Sequence, residues 1–117
     1  MAWSDNEIEE LKKYYSDVMM AEEGGFTYFL IKEVKLPSYC SPSKVDVLLC
    51  PMSREGYTSR LFFANKITNN MEGAKTLNWN SNDQRILDRN WHAYSWKINK
   101  DDLRLAQMMA DHLRAFQ

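Results

Sequence analysis

The sequence predicts an α+β domain in which two helices pack against one antiparallel sheet. Three observations carry that expectation. A segment near each end places apolar residues at helical spacing. Three runs between them are rich in β-branched and aromatic side chains, and the connections joining those runs are short, which favours an antiparallel meander. At 117 residues the chain is expected to be one domain, residues 1–117, because two separate cores would each bury too little surface. An aromatic content of 13% beside 26% charged residues argues against disorder.

The first helix opens at Ser4, and Glu7 three residues later completes a capping box. Ile8, Leu11, Tyr15 and Val18 form its apolar face, with Glu9, Glu10, Lys12 and Lys13 opposite. Ala21 to Gly25 is expected to end it, with Gly24 or Gly25 as a left-handed cap. Phe26 to Leu36 predicts a long strand, broken by Pro37, and Ser38 to Ser43 a turn or short loop. Val45, Val47 and Leu49 alternate as a second strand with one buried face, and Pro51 stops it. Ser59 to Ala64 is a third. Residues from about Asn65 to Asn90 hold no period and predict a long irregular segment pinned by Trp79, Ile86 and Leu87. Trp91 to Trp96 is a short strand or packed loop. Asn99 is expected to cap the last helix, with Asp101 and Asp102 in its first turn. Its stripe is Leu105, Met108, Met109, His112, Leu113 and Phe116.

Composition excludes several functions. A net charge of −1, from 15 basic and 16 acidic residues, does not suit a nucleic-acid binder. No apolar run reaches the roughly 18 residues of a membrane span. The first residues show no secretory signal, so a cytoplasmic location with reduced Cys40 and Cys50 is expected. Two cysteines and two distant histidines make no zinc-ligand spacing, and no Walker loop or nucleophile elbow occurs. No metal and no cofactor are expected.

Several stretches resemble prokaryotic family E of the ubiquitin-conjugating enzyme superfamily. They are Phe26 to Ile31 with Leu36-Pro37, Val45 to Leu49, Pro51, Gly56-Tyr57, Leu61 to Phe63, Trp91 to Ser95, and Asp102 to Arg104. The resemblance spans about Phe26 to Phe116. It implies a ubiquitin-conjugating-like fold: N-terminal helix, antiparallel meander sheet, long irregular segment, C-terminal helix. It also implies three partners, namely an adenylate-forming activating enzyme, a ubiquitin-like modifier and a modified target, with a JAB-type peptidase in the same bacterial pathway. Such systems look like antiphage-defence or stress modules. The chain departs from the family pattern at Thr58-Ser59-Arg60, where prolines are usual, and at Ser95-Trp96-Lys97, where Ser-Arg-His is usual. No Cys stands between Asn65 and Asn99, where a conjugating enzyme keeps its nucleophile.

Candidate sites follow from that gap. Cys40 and Cys50 precede the segment where a thioester would form and read as structural thiols. Ser95 is the hydroxyl that could carry an oxyester, with His92 as its base if the segment bends. Asn78, Asn80 and Asn82 read as loop amides, one of which could polarise an acyl carbonyl. His112 on the apolar stripe reads as a satisfied core-edge side chain. The face Glu9, Glu10, Lys12 and Lys13 resembles the docking surface for the activating enzyme, with Trp3 beside it as an exposed aromatic anchor. A non-catalytic adaptor is favoured over a Ser-oxyester transferase. An unrelated α+β binding domain is the remaining alternative.

Overall fold

The computed structural model describes residues 3–98, 100 and 102–116. Helix α1 (Asp5–Tyr14) precedes β1 (Val18–Glu23), β2 (Phe26–Lys35), β3 (Cys40–Ser41), β4 (Lys44–Cys50) and β5 (Arg60–Phe63). Then come β6 (Thr68–Asn69), β7 (Ser81–Ile86), β8 (Arg89–Ala93), α2 (Leu105–Leu113) and a single 3-10 turn, Arg114–Phe116. Six strands form one antiparallel sheet in the order β1-β2-β4-β5-β8-β7, and β3 pairs with β6 as a separate ribbon. The α+β class is as expected. Among the described residues, no helix is long and apolar enough to cross a membrane.

Helix α1 begins where the capping box places it: the Glu7 N–H donates to Ser4 Oγ at 3.2 Å. It stops ten residues earlier than the two glycines, however. Val18–Glu23 is a strand paired residue for residue with Phe26–Ile31, so the expected helix through Val18 is corrected to end at Tyr14. Gly24 and Gly25 close this hairpin at φ +60° and +84°, as a two-residue turn with both centres left-handed demands. Nothing stands within 4 Å of a Cβ built on Gly25, so Gly25→Ala meets only backbone strain. The expected loss is about 1 kcal/mol, read by urea denaturation; an unchanged midpoint would show that the turn does not hold this conformation.

The sheet is larger than three strands. The segment expected to be irregular contains β6 and β7, and β8 begins at Arg89. Leu87 and Asp88, at φ 51° and 62°, make the second two-residue hairpin without a glycine. Two bulges bend the sheet, and both are satisfied alike. Lys32 and Glu33 together oppose Asp46, whose Oδ1 accepts the Glu33 N–H at 2.9 Å. Asn82 and Asp83 oppose His92, whose Nδ1 accepts the Asp83 N–H at 3.3 Å.

Both faces of β4 are buried, which corrects the single buried face expected of it. Val45, Val47 and Leu49 join Leu11, Phe63, Leu105, Met109 and Phe116 in the core beneath the two helices. Leu48 and Cys50 point the other way, to Tyr28, Phe62, Ile86 and Trp91. The stripe of α2 is buried as its period predicts, with Leu113 half-buried. Its start is corrected: Arg104 is the N-cap, and Asp102 lies outside the helix at φ 57°. Asn99 and Asp101, expected at that cap and first turn, lie outside the described residues. The Arg104 N–H donates to Gln107 Oε1 at 2.8 Å, and Arg104 Nε to Glu10 Oε1 at 2.9 Å, tying the two helices together.

Candidate functional site

The two thiols are free and buried, Cys50 at the end of β4 in the main sheet and Cys40 in the β3–β6 ribbon. Cys40 is 3% and Cys50 0% exposed, and burial raises both thiol pKa values. Neither is presented as a nucleophile, because a reactive thiol needs access and a stabilised thiolate.

Ser95 follows β8 and is exposed. Its N–H donates to the Asn78 carbonyl at 2.7 Å, and its Oγ accepts from the Tyr57 hydroxyl at 3.1 Å. His92, half-buried in β8, spends Nδ1 on the bulge described above. The two expected catalytic partners are thus bonded to different groups, and the neighbour of Ser95 is a phenol. Asn80 Nδ2 donates to the Tyr57 oxygen at 2.8 Å, while Asn80 Oδ1 accepts from Arg60 Nη2. Hydrogen bonding with Ser95 and Asn80 outweighs burial and holds the Tyr57 phenol below its usual pKa, helped by the charges of Arg60 and Lys97. The Arg60 guanidinium lies 4.2 Å from the Tyr57 ring centre, and Glu55 pairs with it at 3.2 Å. Asn82, expected in a loop, lies instead in the β7 bulge and donates to the Trp79 carbonyl at 3.0 Å. Tyr57 and Arg60 are the members of this network that sequence reasoning missed. The Gly56-Tyr57 pair carried a hint through the resemblance alone.

A cleft of about 870 Å³ opens between the β1–β2 hairpin, α1 and the approach to α2. Trp3, Phe26, Met52 and Leu103 supply apolar wall, and Glu7, Glu22, Glu23 and Asp102 outnumber Lys100 around it. Ser59 is also part of the wall, and its Oγ lies 2.9 Å from His112 Nε2. Both side chains are buried. Burial pushes His112 down to about 4; Asp111 opposes that shift and Arg60 adds to it. His112 is therefore neutral at pH 7 and satisfied by a hydroxyl, in line with the core-edge reading of the sequence. What the sequence missed is that Ser59 borders a cleft.

On α1, Glu9, Lys12 and Lys13 are exposed, whereas Glu10 is engaged by Arg104. Trp3 is half-buried against the core and lines the cleft, so the expectation of an exposed anchor is corrected. Among the described residues, no three His, Cys, Asp or Glu side chains gather as a metal-binding group. No protein-family model matches the chain, and neither the curated proteins nor the solved structures compared with it provide a match.

Proposed function

We propose that the chain is a ubiquitin-conjugating-like component of a bacterial ubiquitin-like modification pathway, one that docks to an activating enzyme and positions the modifier. The supporting observation is the layout of the first half. An amphipathic helix leads into β1, β2, β4 and β5, which neighbour one another in the sheet in chain order. That is the helix-then-meander arrangement the family resemblance implies. The β7–β8 hairpin lies beyond β5, adding strands to the edge of this meander. Burial of both thiols favours the adaptor over a thioester carrier. The exposed Glu9, Lys12 and Lys13 face is the surface offered to the activating enzyme.

A second reading rests on Ser95, an exposed residue whose hydroxyl is hydrogen-bonded to a phenol of lowered pKa. The two separate in one experiment with the products of the neighbouring genes. The protein is incubated with modifier, activating enzyme, ATP and magnesium, then split between size-exclusion chromatography and a denaturing gel. The expected result is a complex with the activating enzyme and no covalent adduct. Reversing the charges with Lys12→Glu and Lys13→Glu should weaken that complex roughly tenfold or more. A hydroxide-labile adduct that disappears in Ser95→Ala would replace the adaptor by the oxyester enzyme. Absence of both complex and adduct would remove the conjugation reading altogether.

A further inference from the structure

We propose that Ser59 and His112 form a nucleophile–base pair that accepts an acyl group from an uncharged or cationic ester held in the cleft. This does not depend on the conjugation reading. The Oγ–Nε2 separation of 2.9 Å is hydrogen-bond contact between a hydroxyl nucleophile and its base. The contact joins residues 53 positions apart, one just ahead of β5 and one in the last turn of α2, so tertiary packing builds it. Ser59 is only 3% exposed, yet it borders a cleft of about 870 Å³, within the range of small-molecule sites. A buried Ser–His contact facing close-packed core would have no such neighbour.

The imidazole is neutral at pH 7, the form in which a ring nitrogen can accept a proton, although burial also lowers its basicity. Asp111 and Arg60 are the charged groups that act on His112, and both are committed elsewhere. Asp111 Oδ1 accepts from Trp96 Nε1 at 3.2 Å and faces Arg114 at 3.9 Å, while Arg60 is paired with Glu55 and Asn80. Burial and the Arg60 charge outweigh Asp111 and keep the imidazole neutral, so Nε2 can accept the Ser59 proton when the remaining proton is on Nδ1.

The walls define the substrate class. Four carboxylates against Lys100 disfavour an anionic acyl group, and Trp3, Phe26, Met52 and Leu103 suit a short apolar acyl chain. The cleft also carries a weakly used donor. The Thr27 N–H points at Met52 Sδ at 3.4 Å, and an ester oxygen is a better acceptor than a thioether.

In the step itself, Ser59 Oγ bonds to the ester carbonyl carbon while its proton moves to His112 Nε2. The bond from that carbon to the alkoxy oxygen then breaks, and the imidazolium returns the proton to the departing alcohol. Water repeats the sequence on the acyl-serine and releases the acid. No redox partner is needed.

The test uses the full chain with a biotinylated fluorophosphonate, which phosphonylates activated serines, and with p-nitrophenyl butyrate. Mass mapping should place one adduct on Ser59. Ser59→Ala should abolish labelling and p-nitrophenol release, and His112→Gln should slow both roughly 100-fold. Circular dichroism verifies that each variant is folded. Should either variant fail to fold, the adduct site in the unaltered protein decides, together with Ser59→Cys, whose thiol should react with iodoacetamide faster than Cys40 and Cys50. No adduct on Ser59, labelling unchanged in His112→Gln, or ester hydrolysis surviving Ser59→Ala would each overturn the proposal.

Discussion

Phe63→Ala is expected to lower folding stability by about 4 kcal/mol, the middle of the range for a buried aromatic truncated in a packed core. Phe63 is 0% exposed and sits on β5, between β4 and β8. Its ring centre lies 5.4 Å from Tyr94, 5.7 Å from Trp79 and 5.8 Å from Phe116. Those rings also meet one another, with Trp79 5.1 Å and Phe116 5.7 Å from Tyr94. The cluster draws on a loop, the stretch after β8 and the final turn. The backbone beneath it is hydrogen-bonded sheet, so neighbours cannot close the vacated volume without breaking pairing. The Tyr94 hydroxyl, which donates to the His112 carbonyl at 2.6 Å, resists rotation of that ring. For a domain whose total stability is about 5 to 15 kcal/mol, such a loss makes unfolding at modest urea concentration the expected outcome. Trp fluorescence should shift to the red as Trp79 loses one of its two edge-to-face partners. A loss under about 1.5 kcal/mol with unchanged emission would mean that the rings do not act as one packed unit.

What was legible in the sequence depended on how local its cause is. The stripe of α2 was legible because Leu105, Met108, Met109 and His112 are buried at one period on one helix. The end of α1 was not. Tyr15 and Val18 continue its helical spacing, yet Val18 to Glu23 pair across the sheet with β2. Gly24 and Gly25 suit a helix cap and a hairpin turn equally, since both require positive φ. Long-range pairing decides between them. Strand β7 was invisible because Ser81, Asn82, Asp83, Gln84 and Arg85 are polar, and its hairpin with β8 turns at Leu87-Asp88, which carries no Asn-Gly or Gly-Gly signal. The sites were hidden for a similar reason. Tyr57 and Ser95 are 38 residues apart and Ser59 and His112 are 53, so no spacing rule could join them. His92 was legible as a polar residue inside an aromatic segment. Its service to a bulge could be seen only once β7 existed.

Acid should destabilise the protein through His112 by about 3 kcal/mol between neutral pH and pH 4. The sign follows from where the proton binds. Unfolded, the imidazole titrates near its ordinary value of about 6.5; folded, burial holds it at about 4. Between those values the unfolded chain takes up a proton that the folded chain refuses, so stability falls as pH drops through that window. Above it the imidazole is neutral in both states, and this group adds no further pH dependence. Carboxylates contribute their own acid dependence, so the measurement is a difference. Urea midpoints are compared for the unaltered protein and His112→Gln, whose amide keeps a polar group near Ser59 Oγ. The advantage of the unaltered protein should shrink by about 3 kcal/mol from pH 7.5 to pH 4. Parallel curves would show that His112 is not held neutral by burial. The consequence reaches the cleft, because a protonated Nε2 cannot accept the Ser59 proton. The burial that keeps the imidazole unprotonated also lowers its basicity, and it is the same burial that makes the fold acid-sensitive. Labelling of Ser59 should therefore fade as pH falls toward 4, over the interval in which the fold itself weakens.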